Sequence, residues 1–199
     1  MANIDNAVKK ITESDYIKNG WLNNEAKNLL LNDADKKIIR CIERAVKPNS
    51  LLAEEKIRLI FKSLSLFPAE ETKIAIMGQA PYPDKERAGG LVFAFGSGNT
   101  QEFMSKISNV SVLYQGEAFF EEWDINAEQF AKENKILLLN SSLTFESATA
   151  AQKHKDIWDP FVSIILSNLI NLKKEGKDGE PSTFLWNKHK QNIIFQKIM

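Results

Sequence analysis

The segment IAIMGQAPYPDKERAGGLVFAF, residues 74–95, is the part of the chain from which the fold can be predicted. It begins with an apolar run of strand length, continues into a loop rich in Gly and Pro, and returns to apolar residues at Leu91, Val92 and Phe93. A loop at the carboxyl end of a buried strand is a common place for a ligand in α/β proteins. The segment therefore predicts a strand that leads into a binding loop, with Ala80 at the centre of that loop.

Other apolar runs of similar length extend this pattern. KIAIMG (73–78), GLVFAF (90–95), KILLLN (135–140) and TFLW (183–186) are predicted strands, and helical segments such as DPFVSIILSNLINLKKEG lie between the later ones. Apolar strands that alternate with helices are typical of a parallel sheet covered on its faces. The predicted fold class is α/β, with a central parallel four-stranded sheet flanked by helices.

The first seventy residues have helical periodicity instead. The segment NNEAKNLLLNDADKKIIRCIERAV has apolar residues at roughly helical spacing, and Pro48, Asn49 and Ser50 are a start signal for a further helix. We predict one domain over residues 1–199, with a helical part at about 1–67 and an α/β core at about 68–199. The helical part is the predicted surface for a protein partner.

Composition narrows the classes of function. The 26 basic residues balance the 26 acidic ones, so no overall positive field attracts the chain to DNA or to an anionic membrane. Cys41 is the single cysteine, which excludes an internal disulfide and a cysteine cluster for zinc. No signal peptide and no membrane span are apparent. We expect a cytoplasmic protein with no metal and no cofactor.

Several motifs together resemble the family 1 uracil-DNA glycosylases. The family's Gly-Gln-Asp-Pro-Tyr-His motif, followed at fixed spacing by Gly-Leu-Ala-Phe, is similar to GQAPY (78–82) and GLVF (90–93). The segments LLLNSSLTF (137–145) and FLWNKHKQ (184–191) are similar to two later motifs of the family, with Trp158 and Phe161 between them. The resemblance covers about residues 68–191, more than half of the chain.

The resemblance implies a pocket for a flipped uracil base. Phe93 would stack on the base, Asn140 would hydrogen-bond its edge, Gln79 would add backbone contacts, and Tyr82 would exclude the 5-methyl group of thymine. A side-chain amide suits this task because it both donates and accepts hydrogen bonds. Taken singly, Phe93 is also compatible with a core position, Asn140 with a cap after a strand, and Tyr82 with packing in the turn.

The same resemblance implies a defect in catalysis. The family has a catalytic aspartate at the position of Ala80, and a second catalytic element in a His-Pro-Ser-Pro motif that this sequence lacks. Positioned acid or base groups each contribute roughly 10²–10⁴-fold to a rate. We expect no catalytic residue here. Asp84 and Glu86 are the nearest carboxylates in sequence, and neither is expected to replace the aspartate.

Candidate DNA contacts come from the basic segments of the chain. They are Lys188 and His189 in the helix-start segment after the last predicted strand, and His154 in a polar, basic stretch predicted to be exposed. The family grips DNA with small serine-bearing loops, and both corresponding regions differ here. DNA binding is therefore expected to be weak.

We predict that the chain has lost uracil excision and acts as a binding or regulatory protein. Its partner would be a protein of DNA replication or repair, or single-stranded or uracil-containing DNA. The alternative is a divergent glycosylase with residual or altered base excision. A third hypothesis is an interaction protein whose pocket residues serve packing alone. A viral or phage origin would suit a shortened pseudoenzyme of this composition.

Overall fold

A cluster of short helices forms the N-terminal part of the protein. The computed structural model describes residues 4–32, 34–46, 53–82, 88–94, 126–175, 183–187 and 196–198. The helices are α1 (Ile4–Glu13), α2 (Asn24–Leu31), α3 (Lys37–Val46) and α4 (Ala53–Ile60). The prediction of a helical N-terminal part is thus confirmed, whereas the start signal at residues 48–50 lies outside the described residues.

Local sequence explains these helices. The Asn23 side chain caps α2 by accepting a hydrogen bond from the Ala26 backbone N–H at 2.8 Å, which satisfies one of the free donors of the first turn. Along α3 the buried residues recur at helical spacing and turn one face to the core. They are Ile38, Ile39, Cys41, Ile42 and Val46.

The sheet has four strands in the order β2-β1-β3-β4. The strands are β1 (Ile74–Gly78), β2 (Ile136–Asn140), β3 (Thr183–Asn187) and β4 (Gln196–Ile198). β1 pairs in parallel with both β2 and β3, and β4 is antiparallel to β3. β2 is buried along its whole length, as its unbroken apolar sequence predicts. The predicted α/β class is confirmed, and three of its four predicted strands form.

The fourth predicted strand, at 90–95, is wrong in its described part. Residues 91–94 form a turn beside β2, and the Val92 backbone N–H donates to the Leu138 carbonyl at 3.4 Å. Gly90 and Phe93 have φ angles of +76° and +63°, which are incompatible with an extended strand. The fourth strand lies instead at residues 196–198 and runs antiparallel, so the sheet is mixed rather than wholly parallel.

Two further α-helices follow β1 in the described part of the chain. α5 (Ala127–Asn134) directly precedes β2 and packs against it, and the long helix α6 (Ala151–Glu175) packs against α2 and α3. α6 buries residues at helical spacing, and its Trp158 and Phe161 meet Phe61 in edge-on ring contacts. One hydrophobic core therefore includes the N-terminal helices and the strands β1 and β2. In the described part of the chain no helix is both long and apolar enough to cross a membrane.

Candidate functional site

The carboxyl ends of β1 and β2 meet where the sequence predicts a site. Gly78 and Asn140, the last residues of the two strands, are register partners. Beyond them the Ser141 backbone N–H donates to the Gly78 carbonyl at 2.9 Å, and the Ser142 N–H donates to the Gln79 carbonyl at 3.0 Å. The Ser141 hydroxyl donates to the same Gln79 oxygen at 2.8 Å. The loops after the two strands are therefore joined directly by hydrogen bonds.

The Asn140 side chain occupies an unusual environment. Asn140 is only 7% exposed, yet within the described residues its amide makes no hydrogen bond to a side chain or to the backbone. Its polar atoms retain access to solvent, since the single fully inaccessible and unpaired side-chain atom in this part of the chain is Thr72 Oγ1. A largely buried amide with open hydrogen-bonding capacity is suited to a ligand that both donates and accepts.

Phe93 lies on the turn beside β2. Its side chain is half-buried and packs against the hydrophobic core. Its φ angle of +63° lies in the left-handed region, which a bulky residue adopts at a cost of roughly 1–3 kcal/mol. Such strain is concentrated at functional sites. Next to it, the side chain of Val92 reaches the end of β1 at Gly78, so this turn borders the site.

The loop after β1 carries the remaining predicted pocket residues. Gln79 is exposed, and Ala80 and Tyr82 are half-buried. Tyr82 borders a groove of about 90 Å³ between the loops and the helices α3 and α4. The groove is mostly apolar and includes Leu59, the one large hydrophobic residue that is exposed in the described part of the chain. Asp84 and Glu86 lie outside the described residues.

The prediction that His154 is exposed near DNA is wrong. His154 is 1% exposed, so its side chain cannot reach a DNA backbone. Its Nδ1 is 2.8 Å from Thr144 Oγ1, and its Nε2 is 3.3 Å from Glu146 Oε2. The Trp158 indole N–H donates to the same Thr144 oxygen at 2.7 Å. His154 therefore joins the loop after β2 to helix α6, and we call Thr144, Glu146, His154 and Trp158 the threonine cluster.

Sequence reasoning missed this cluster, although a signal for it was present. On α6, His154 lies four residues before Trp158 and seven before Phe161, and it therefore shares their buried face.

The other candidate DNA contacts, Lys188 and His189, lie outside the described residues. Among the described residues no group of three or more His, Cys, Asp or Glu side chains could hold a metal ion.

The relatives found by comparison of sequences share one name. The chain is 28% identical over 161 residues to the uracil-DNA glycosylase of Lactococcus lactis subsp. lactis (strain IL1403), and the match covers 80% of this chain and 69% of that protein. It is 30% identical over 142 residues to the uracil-DNA glycosylase of Pseudomonas aeruginosa (strain UCBPP-PA14), with 67% of this chain and 55% of that protein covered. The chain thus spans between about half and about two thirds of the length of these relatives.

Solved structures agree at the level of the fold. The wild-type UNG crystal structure from Nitratifractor salsuginis aligns with a TM-score of 0.51 and 15% identity, covering 83% of this chain and 76% of that one. A point mutant of the same protein aligns with a TM-score of 0.61 and 15% identity, covering 92% of this chain and 81% of that one. The chain belongs to the uracil-DNA glycosylase superfamily. No model of a protein family matches it.

Because the chain belongs to the uracil-DNA glycosylase superfamily, residues of its site can be matched to positions in the motifs of that family. The motif resemblance predicts that Asn140, Phe93 and Tyr82 belong to a base pocket and that Ala80 replaces the catalytic aspartate. The structure brings the end of β1, Asn140 and the turn that carries Phe93 to the same edge of the sheet. The assignment of these residues to uracil remains a prediction.

Proposed function

We propose that this protein binds uracil in DNA without excising it. The supporting observation is the Asn140 side chain, which is 7% exposed and makes no hydrogen bond within the described residues. Because its polar atoms keep some access to solvent, the amide is open to a ligand. Uracil would fit it, because the edge of the base carries both an N–H donor and carbonyl acceptors that an amide can pair.

The second part of the proposal, the absence of excision, rests on Ala80. Hydrolysis of the glycosidic bond needs a group that positions or activates water and stabilises the cationic sugar. A methyl side chain does neither, and loss of such a group typically lowers a rate by roughly 10²–10⁴-fold. The pocket would therefore keep its affinity for the base while losing the chemical step. Such a protein would mark uracil sites, or act through a partner that assembles there.

A single assay separates binding from excision. A fluorescent single-stranded oligonucleotide with a central uracil, and an identical one with thymine, are measured for binding by anisotropy and for abasic sites by alkaline cleavage. We expect preferential binding of the uracil oligonucleotide and no cleavage above the protein-free rate. Cleavage well above that rate would contradict the loss of excision and favour a divergent glycosylase.

Variants test whether the binding uses this pocket. Asn140→Ala is expected to abolish the preference for uracil over thymine, because it removes the amide. Asn171, exposed on α6, provides the matched control, and Asn171→Ala should bind as the wild type does. Equal loss in both variants, or in neither, would contradict the assignment of uracil to this site.

Ala80→Asp tests the cause of the missing chemistry. If the carboxylate is the chief deficit, this variant should gain excision of uracil while keeping its preference for uracil over thymine. If it gains none, the carboxylate alone does not account for the inactivity.

A further inference from the structure

We infer that Gly78 is a positioning residue, whose missing side chain leaves the space that fixes the Asn140 amide in the pocket. The inference rests on the proposed function, because Asn140 is the group that would hydrogen-bond uracil. It assigns a role to a residue that would not itself touch the base through a side chain.

The geometry of the two strand ends shows the close approach. Gly78 and Asn140 are register partners on neighbouring parallel strands, so their side-chain directions lie on the same face of the sheet. A Cβ atom built on Gly78 would lie 2.4 Å from Asn140 Oδ1. It would also lie 2.8 Å from Val92 Cγ2 and 3.1 Å from Val92 Cγ1. The amide and the valine therefore share the space that a side chain at position 78 would fill.

The backbone conformation at Gly78 does not explain why this position is glycine. Among the described residues the glycines with positive φ are Gly20 and Gly90, and Gly78 is not one of them. Gly90 is required on both counts, since its φ is +76° and a Cβ there would lie 2.2 Å from the Leu59 carbonyl oxygen. At Gly78 the requirement is for space alone, and a substitution by alanine therefore tests the space directly.

Packing is also what holds the Asn140 amide in place before a ligand arrives. The described residues supply no hydrogen bond to this side chain, so its position depends on its neighbours. The Oδ1 atom occupies the space beside Gly78 that a side chain at this position would fill. A methyl group at position 78 would push the amide away from this position.

The test must separate the amide from the valine, because Gly78→Ala alone disturbs both and could fail to fold. The informative pair is Val92→Ala and Gly78→Ala/Val92→Ala. In the double variant the valine methyl groups are gone, and Asn140 Oδ1 is the nearest atom to the added methyl at position 78. We expect the two variants to have similar melting temperatures. The double variant should bind the uracil oligonucleotide roughly tenfold more weakly than Val92→Ala.

A second measurement needs no ligand. The side-chain NH₂ resonances of Asn140, assigned by their loss in Asn140→Ala, should shift between Val92→Ala and the double variant. Unchanged affinity together with unchanged resonances would overturn the inference. If the wild-type protein shows no preference for uracil, the proposed function fails, and the resonances of the ligand-free variants still decide whether Gly78 positions the amide.

Discussion

Two buried polar groups near the end of β2 have opposite hydrogen-bonding states. The side chain of Asn140, the last residue of the strand, makes no hydrogen bond within the described residues. Thr144, four residues further on, accepts a hydrogen bond from the Trp158 indole and pairs with His154. Both residues are buried, at 7% and 2% exposure, so burial alone does not distinguish them.

This difference in hydrogen bonding distinguishes Thr144, a polar group that serves the fold, from Asn140, a polar group suited to binding. The threonine cluster joins the loop after β2 to α6, and every hydrogen bond in it contributes to the folded state. The Asn140 amide contributes no such hydrogen bond to the folded state. Proteins retain such groups where function requires them. Stability measurements on the two groups should therefore give opposite results.

The largest effect is expected from Thr144→Val. Valine has nearly the same shape, but it leaves the Trp158 N–H and His154 Nδ1 without their partner in the core. Two buried groups without partners, at roughly 1–3 kcal/mol each, predict a loss of about 2–4 kcal/mol in the free energy of unfolding. Urea denaturation measures it. Thr149→Val, at an exposed position, is the control and should change little. Equal stability of the two variants would mean that the threonine cluster is not structural.

At Phe93 we expect a smaller effect on stability, in which glycine is favoured over alanine. Glycine normally destabilises a protein relative to alanine, but at a φ of +63° alanine is strained and glycine is not. We expect Phe93→Gly to be more stable than Phe93→Ala by about 1 kcal/mol. At Ser163, exposed in the middle of α6, the same pair should show the ordinary order, with alanine more stable. The ordinary order at both positions would contradict the strain assigned to Phe93.

Cys41 provides a third buried group, which differs from both in being titratable. Burial raises the pKa of its thiol, and Arg44 and Lys153 oppose this more weakly. The unfolded thiol therefore loses its proton at a lower pH than the folded one. Stability from this group is complete below the ordinary cysteine pKa and is lost as pH rises toward the raised value. The free energy of unfolding should fall more steeply above pH ~9 in the wild type than in Cys41→Ala. Parallel profiles would contradict this assignment.

Sequence reasoning succeeded for the two strands whose apolar runs are almost completely buried. Residues 74–78 and 136–140 form β1 and β2, and their ends meet as predicted. It failed at residues 90–94, which are equally apolar. Hydrophobicity indicates burial but not backbone conformation, and here Gly90 and Phe93 adopt positive φ angles.

The motifs predicted where the candidate site lies. They did not predict which of its polar side chains have hydrogen-bonding partners. A sequence can suggest that Asn140 lies at a strand end, but the absence of a hydrogen-bonding partner depends on packing between distant segments. The same holds for His154, whose lysine neighbours indicated exposure while its helical spacing to Trp158 indicated burial. On a helix, the spacing was the better guide because it determines which face a residue occupies.

The smallest stability effect is expected from Asn140→Leu, and it completes the comparison with Thr144. Leucine has the same branched skeleton of heavy atoms and removes an amide that has no partner within the described residues, so the variant should be as stable as the wild type or more stable by up to about 1 kcal/mol. Binding of the uracil oligonucleotide should be lost, since leucine offers no hydrogen bond. Urea denaturation and anisotropy on the same preparation give both values. A loss of stability as large as that of Thr144→Val would show that Asn140 serves the fold and would contradict its assignment to a ligand.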